Sequence, residues 1–541
     1  MSEIRCKFCR RKLKDPKYHA LEAGPVCMAK NGILIEKVAS KNSTKKVVLE
    51  KSISQGGIQQ KREIVVVTPE KQAEMLIGQM IKGSTFSGKV FSVGGFVRDD
   101  LLGKPSKDLD LVIEQKGGAQ ALGEFIHGKF PNETTNPFQA GADYPIWKIH
   151  FKEDVTIGEH LFSVKDVEID LADTQKEAFP DPTSRQRITQ FGSLAEDVKR
   201  RDFTANMLLR DVSTGEVLDM TGTSVSDITH GILRGHPEVS LDKIFSDDPL
   251  RMIRLVRFQA KYNWKVPFSV IKKVKANSER IKIVSQERIR DELIKVMEMG
   301  KLAKAIKFMK IAGLLPHVLP EVSAMDKVKQ DRYYHSEGDV LKHTLMVTEK
   351  AKPTVIAQMS ALLHDLGKPA TQSFVGDRIK FLGHEDVSAK MAEEVLTRLR
   401  VDSESTVRIK KVIALHIRGH MSEDWSVKSV RKYIRDCGSE LDEVLNLTEI
   451  DALSSYGPDG KPKKNIIPML REKIKKAQEI PIRLAPVLNG EDIMKHLNIP
   501  PGKEVGLALS RLKEIEDDYA EKGLVLTKEN AIEELKRKNH E

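Results

Sequence analysis

The chain has 541 residues, room for three to four domains at roughly 150 residues each, which excludes a lone small binding module. Lys and Arg total 89 against 78 Asp and Glu, a formal charge of +11 that points to polyanionic partners, while 5% aromatics argue against broad base stacking. Hydrophobic residues make up 40%, no apolar run approaches the ~18 residues of a membrane span, and the charged start MSEIRCKFCRRKLK lacks the apolar core of a secretory signal, so no membrane partner is expected.

Three of the four cysteines fall within the first 27 residues, too few for a disulfide framework in so long a chain, and a reducing, cytoplasmic setting is expected. Cys6, Cys9, His19 and Cys27 have the spacing of a small zinc knuckle. Thiolates and an imidazole suit a closed tetrahedral Zn²⁺ site, and roughly thirty residues need such a staple to fold. Arg10, Leu13, Gly24 and Pro25 extend the likeness to short CxxCGRxL…GPxC zinc modules, in which the fourth ligand, here His19, is the least fixed member. Residues 33–68 are rich in Lys, Ser and Gln without an apolar period and read as a linker. From Pro69 a helix (KQAEMLIGQMI) leads to a strand (VFSV), a Gly-Gly turn, a helix through VRDDLLG and a second strand (DLDLVI). Strand-like WKIHF and VEIDLA follow, Lys176–Ser193 reads as a mobile loop, and beyond Asp202 the pattern is almost wholly helical. The fold class is therefore α+β, a mixed-sheet head with helices followed by helical domains.

Asp108 and Asp110 stand two apart in a β-type run, so both carboxylates share one strand face, as Mg²⁺ bound with a nucleotide triphosphate requires. Just upstream, Gly94 and Gly95 let backbone N–H groups approach phosphate, and Arg98 adds a charged fork. Asp248 and Arg251 stand three apart on a predicted helix, hence on one face. An aspartate can accept from the exocyclic amino group that cytosine and adenine share, and an arginine can donate to ring acceptors.

The strings GGFVRDDLLGKPSKDLDLVI, KRRDFTANMLLRD, GEVLDMTGTSVSDITHGILRG, DDPLRMIRLVRF and ERIRDELIKVM, in that order, resemble the signature segments of class II tRNA nucleotidyltransferases, the CCA-adding enzymes and related bacterial poly(A) polymerases. The resemblance implies that Asp108 and Asp110 are catalytic metal ligands, that Arg201 and Asp202 handle the incoming ribose, and that Asp248, Arg251 and Arg254 contact the nucleotide, with Gly94, Gly95 and Arg98 on the triphosphate. Two departures stand out: Asp247 replaces the usual Glu, and Asp173 stands where relatives often carry Arg, near the switch from C to A addition. A third metal carboxylate is Glu168 or Asp170, which share a strand face.

A second constellation, His343, His364 with Asp365, and Asp451, lies in HTLMV, ALLHDLGKP and LTEIDALSS, and resembles an HD phosphohydrolase domain. Such a set can close round one divalent transition metal that activates water. His384, His416 and His420 are either further ligands, phosphate-facing groups or solvent-facing, and His335 is structural or exposed. The resulting expectation is a zinc module at 1–32, a linker at 33–68, a nucleotidyltransferase head at 69–235, a helical neck and body at 236–328, an HD domain at 329–480 and a helical tail at 481–541. The expected activity is addition of CCA to tRNA 3′ ends from CTP and ATP with Mg²⁺, beside a second, phosphohydrolase site. The alternatives are a poly(A) polymerase or partial CC- or A-adding enzyme, and, from another class, an HD phosphohydrolase with a non-catalytic RNA-binding head.

Overall fold

The computed structural model describes residues 67–140, 146–178, 188–479, 487–521 and 524–540, and the strands β1 (Leu34–Lys37) and β2 (Val47–Glu50). Cys6, Cys9, His19 and Cys27 lie outside the described residues. Within the expected linker, β1 and β2 pair antiparallel, Leu34 opposite Glu50 and Lys37 opposite Val47, a pairing that the aliphatic residues of LIEK and VVLE favour. The chain divides into two compact units, Met1–Ile283 and Val284–Glu541, a boundary inside the stretch expected as one neck and body.

In the first unit, α1 (Pro69–Ile81) starts where the Thr68 hydroxyl accepts from Lys71 N–H and proline takes the first helical position. The sheet runs β13-β12-β3-β4-β9-β6-β5, with β3 (Val90–Val93), β4 (Leu109–Ile113), β5 (Phe138–Ala140), β6 (Ile146–His150), β9 (Glu168–Asp173), β12 (Leu209–Asp211) and β13 (Val217–Leu218). Here β4 and β9 are parallel and the other pairs antiparallel, with a side hairpin of β7 (Val155–Ile157) and β8 (His160–Phe162). Alternation places Leu109, Leu111, Ile169 and Leu171 in the core and turns Asp108, Asp110 and Asp170 to the other face. Two expectations are corrected. The strands β12 and β13 extend the sheet past Asp202. The expected loop 176–193 holds β10 (Gln175–Ala178) and β11 (Ile188–Phe191), paired antiparallel with Gln175 opposite Phe191, because backbone pairing does not need the apolar alternation that the segment lacks. Around the sheet lie α2 (Gly95–Leu101), α3 (Gly118–Lys129), α4 (Leu194–Lys199) and α5 (Ser224–His230), then α6 (Leu241–Asp247), α7 (Leu250–Tyr262) and α8 (Phe268–Asn277).

Among the described residues the second unit has helices and one hairpin, β14 (Ser373–Val375) with β15 (Arg378–Lys380). Its main helices are α9 (Gln286–Met297), α10 (Leu302–Ile311), α11 (Val340–Lys350), α12 (Val355–Leu363), α13 (His384–Arg398), α14 (Ser403–Leu415), α15 (Val427–Cys437), α16 (Leu441–Ala452), α17 (Ile467–Glu479), α18 (Gly490–Leu497), α19 (Lys503–Glu521) and α20 (Lys528–His540). Val347, Ala361, Val412, Tyr433, Leu447 and Leu470 form one buried cluster that locks α11, α12, α14, α15, α16 and α17 together. The tail α19 is tied to α15 by Asp517, which pairs with Arg431 at 3.1 Å and Arg435 at 2.8 Å. Among the described residues no helix is long and apolar enough to cross a membrane.

Candidate functional site

The first site is built by strand register. Asp110 on β4 lies opposite Asp170 on β9, and Asp170 lies opposite Lys148 on β6, so two acids and a lysine form one row across three strands. Lys148 Nζ lies 2.8 Å from Asp170 and 2.5 Å from Glu168. Register thus separates the two acids that the sequence left equal, and Asp170 is the one beside Asp110. Partial withdrawal from water, and then the charges of Asp170 and Asp108, push the Asp110 carboxyl up to about 6, against the pull of Arg201 and Lys148. Acids that resist sharing their charge are suited to a divalent cation.

Gly94 opens α2 at φ 66°, a left-handed turn that favours glycine, and a Cβ there would lie 3.6 Å from Arg201 Nη1. A Cβ on Gly95 would lie 3.5 Å from Arg98 Nη2. Two guanidinium groups therefore border the glycine turn, an anion cradle. Arg98 is itself buried, with Nε donating to Asp99 at 2.9 Å and Nη1 to Asn206, and its guanidinium sits 4.9 Å from the centre of the Tyr262 ring. Asp197, fully buried, accepts from Arg200 and Arg201 at 2.7 Å each and fixes both side chains.

Asp202 accepts from Phe203 N–H at 2.8 Å, Asn206 Nδ2 at 2.9 Å and Arg254 Nε at 2.8 Å. Against the burial that would raise it, Arg254 and Asn206 hold its carboxyl down at about 2. The structure corrects one expectation: Asp248 is not on the helix of Arg251. It follows α6 in an extended conformation (φ −141°, ψ 97°), because Pro249 disfavours helix in the residue before it. Its carboxylate accepts from Leu250 N–H at 3.1 Å, and Arg251 N–H donates to its carbonyl at 3.0 Å. The Arg251 guanidinium donates to the carbonyls of Arg200 (2.5 Å) and Ile244 (3.3 Å), so it is held between α6 and the RRD segment. Asp173 caps α3, accepting from Gly117 N–H at 2.6 Å and Ala119 N–H at 2.8 Å, which no arginine could do.

The second site lies wholly in the second unit. His343 comes from α11, His364 and Asp365 follow α12, and Asp451 comes from α16. His343 Nε2 is 2.9 Å from Asp451 Oδ1 and 3.7 Å from Asp365 Oδ2, and His364 Nε2 is 3.2 Å from Asp365 Oδ2. The structure adds His384, whose Nε2 is 3.4 Å from Asp365 Oδ1, and His416, whose ligand atom groups with those of His364 and Asp365. His420 Nε2 lies 2.9 Å from Asp451 Oδ2, and His420 lines the same cavity as Asp365 and His384. His335 is half-buried, 2.7 Å from Glu337, and Glu337 is 3.0 Å from His343 Nδ1. Sequence reasoning missed Glu337, and no motif marks it.

Buried Nε2 atoms of His343, His364, His384 and His416 and both oxygens of Asp365 make no well-aligned hydrogen bond, and their close neighbours are one another, Asp451 and Lys368. Orphaned polar atoms are costly in a protein interior unless a ligand satisfies them. The rings are also turned for that purpose: His364, His384 and His416 point Nδ1 at the carbonyls of Ala361 (2.9 Å), Phe381 (2.7 Å) and Ile413 (2.5 Å). Donation there leaves each Nε2 lone pair for a metal. The residues thus fit a divalent metal. Burial and neighbouring imidazoles push His416 down to about 3, while Asp451 and Glu337, against burial, raise His343 to about 9.

The sequence matches the family profiles "Poly A polymerase head domain" over 90–234, "Probable RNA and SrmB- binding site of polymerase A" over 265–325 and "HD domain" over 332–456. It is 31% identical over 339 residues to the multifunctional CCA protein of Neisseria meningitidis serogroup B, covering 61% of this chain and 73% of the relative. It is 28% identical over 389 residues to that of Cupriavidus necator (68% and 86% covered), and 27% identical over 438 residues to the A-adding tRNA nucleotidyltransferase of Deinococcus radiodurans (78% and 90%). The fold is that of the Bacillus stearothermophilus CCA-adding enzyme solved with CTP (TM-score 0.59, 20% identity, 88% of this chain and 98% of that one) and of the Thermotoga maritima enzyme solved with tRNA (0.54, 18%, 88% and 97%). Carboxylates in register beside a glycine turn, followed by a histidine and aspartate centre, thus accompany a measured relationship, and the chain belongs to the family of the multifunctional CCA proteins.

Proposed function

We propose that the chain adds C, C and A to tRNA 3′ ends from CTP and ATP. The carrying observation is the convergence of Asp108, Asp110 and Asp170 beside a glycine turn bordered by Arg98 and Arg201. Asp108, Asp110 and Asp170 would hold Mg²⁺, which when bound neutralises phosphate and acidifies the attacking hydroxyl. Arg98 and Arg201 steady the triphosphate. The RNA 3′-oxygen bonds to the α-phosphorus, the α–β bridging bond breaks, pyrophosphate leaves and the hydroxyl proton passes to water. Asp202, held by Arg254, orients toward the ribose, and Asp248 with Arg251 favours bases bearing an exocyclic amino group. The basic excess serves the RNA backbone. A second reading, A addition alone, is favoured by Asp173, which is committed to capping α3 rather than available to the switch.

Extension of tRNA transcripts ending before CCA, after C and after CC, resolved to single nucleotides, tests the proposal. Stepwise growth stopping after one A supports it; A added only to the CC end selects the second reading; a long A tail or no extension overturns both.

For the second unit the proposal is metal-dependent hydrolysis of a phosphate ester, the metal held by His343, His364, Asp365 and Asp451 with His384 and His416 at hand. Lys368 Nζ, 2.8 Å from Asp365, keeps that carboxylate charged. For Cys6, Cys9, His19 and Cys27 the proposal is one Zn²⁺, checked by zinc content of the Cys9→Ser protein.

A further inference from the structure

The cavity over the histidine centre contains a cation that the metal ligands do not use. After α16 the chain makes an excursion closed by a bridge between Tyr456 and Pro462 and turned through Gly460 at φ 72°. Gly457 N–H donates to Lys461 O at 2.9 Å, and Lys463 N–H donates to Ser455 O at 2.8 Å. Both arms of the loop are thus pinned, and the backbone of Lys463 is anchored four residues beyond the metal-site Asp451.

Lys463 lines a cavity of about 330 Å³ together with Asp365, Asp451, His384 and Lys368. Two other lysines line the cavity: Lys380 is exposed on β15, and Lys368 is accounted for, since its Nζ lies 2.8 Å from Asp365 Oδ2 and donates to Gln330 Oε1 at 2.8 Å. Lys463 is half-buried, and its recorded partner is a ring: Nζ sits 5.0 Å from the centre of Tyr334. Among the described residues no carboxylate stands within ion-pair distance of it, and Asp451 is already shared between His343 and His420. Asp451 and Glu337 act on Lys463 only through space, so an ammonium turned into a cavity beside Lys368 and Lys380 is left with room for an anion as its direct partner. The rest of the lining includes Phe381, Leu382 and Ile417, a wall for an uncharged organic group.

We propose that Lys463 is a substrate-binding residue of the second site, gripping the non-bridging phosphate oxygens of an ester whose organic group lies against Phe381, Leu382 and Ile417. The assignment rests on the phosphohydrolase reading of this site and names the group that recognises its substrate. Lys463 contributes no metal ligand, so its loss acts on phosphate and not on metal content.

The test uses the full chain loaded with Mn²⁺, with Lys463→Met and Lys463→Arg variants. Inorganic phosphate binding is measured by calorimetry, p-nitrophenyl phosphate hydrolysis by absorbance, and bound metal by mass spectrometry. In Lys463→Met, phosphate affinity should fall and the KM for the ester should rise by about tenfold or more, as loss of one charge-assisted contact implies, with metal content and tRNA extension unchanged. Lys463→Arg should retain most of the affinity. Equal phosphate affinity in wild type and Lys463→Met, or no phosphate binding by the wild type, overturns the proposal. Phosphate binding that depends on Lys463 without ester hydrolysis upholds the grip and removes the hydrolase reading alone.

Discussion

Replacing Arg254 by Met isolates the ion pair that joins α7 to the RRD segment. Asp202 is only 6% exposed, and its carboxyl falls from 3.8 to about 2. A fall of nearly two pH units at 1.36 kcal/mol per unit amounts to about 2 kcal/mol of stability at neutral pH. Arg254 is 33% exposed, so water screens its part, and Asn206, Phe203 N–H and Arg251 share the remainder. The expected cost of Arg254→Met is therefore about 1 kcal/mol, less than the 3–5 kcal/mol typical of a fully orphaned buried charge. Because the folded carboxyl is depressed, its contribution is complete above pH 3.8 and disappears as pH falls through 2, with about half gone near pH 3. Denaturation can be followed by Trp147 and Trp264, which lie in the first unit, in a Trp425→Phe background that silences the second. In a double-mutant cycle the Arg254→Met cost should vanish once Asp202 is Asn. A cost that survives in that background, or that is the same at pH 7 and pH 3, refutes the reasoning.

Asp110→Asn should abolish tRNA extension while leaving ester hydrolysis intact, and Asp365→Asn should do the opposite; assays of both activities on each variant check this, and equal loss of both would sink the two-site reading. Asp173→Ala removes the acceptor of two backbone N–H groups at the start of α3 and should lower the stability of the first unit by about 1 kcal/mol in the same denaturation assay, with no loss meaning that the cap is idle. His364→Ala should lower the metal content of the second unit by more than His420→Ala does, because His364 Nε2 is buried among the grouped ligand atoms while His420 is spent on Asp451; metal analysis after dialysis decides.

The head was legible in the sequence wherever a period carried it. Two-residue alternation put Asp108 and Asp110 on one face, and the structure keeps them there. Alternation could not choose between Glu168 and Asp170, because both lie on the same face of β9 and only pairing with β4 distinguishes them. Lys148 was invisible for the same reason, since its place beside Asp170 is a property of register. Asp248 was misplaced because spacing of three suggested one helix, whereas Pro249 directly after it signalled a break that the spacing argument ignored. The hairpin β10–β11 escaped because QKEA and ITQF carry no apolar alternation, and its order comes from backbone hydrogen bonds that no side-chain pattern announces.

The histidine centre shows what further signal was available. His343, His364, Asp365 and Asp451 were found as a pattern, while His384 and His416 were left undecided because a single histidine in a helical stretch has no period of its own. Their placement has a physical logic. His364 and His416 each follow the apolar last turn of a helix, after ALL and IAL, and each donates Nδ1–H to the carbonyl three residues back. Helix ends leave carbonyls without partners, so the ring satisfies one of them. That same bond fixes the tautomer and frees Nε2 for a metal, and helix-end stability and ligand orientation are achieved by one contact. His384 reaches the same state at the other end of a helix, using the Phe381 carbonyl in the turn before α13. His343 reaches the centre from within α11, whereas His364, His384 and His416 do so from helix ends, and His420, in the short helical turn Arg418–Met421, has its Nε2 on Asp451.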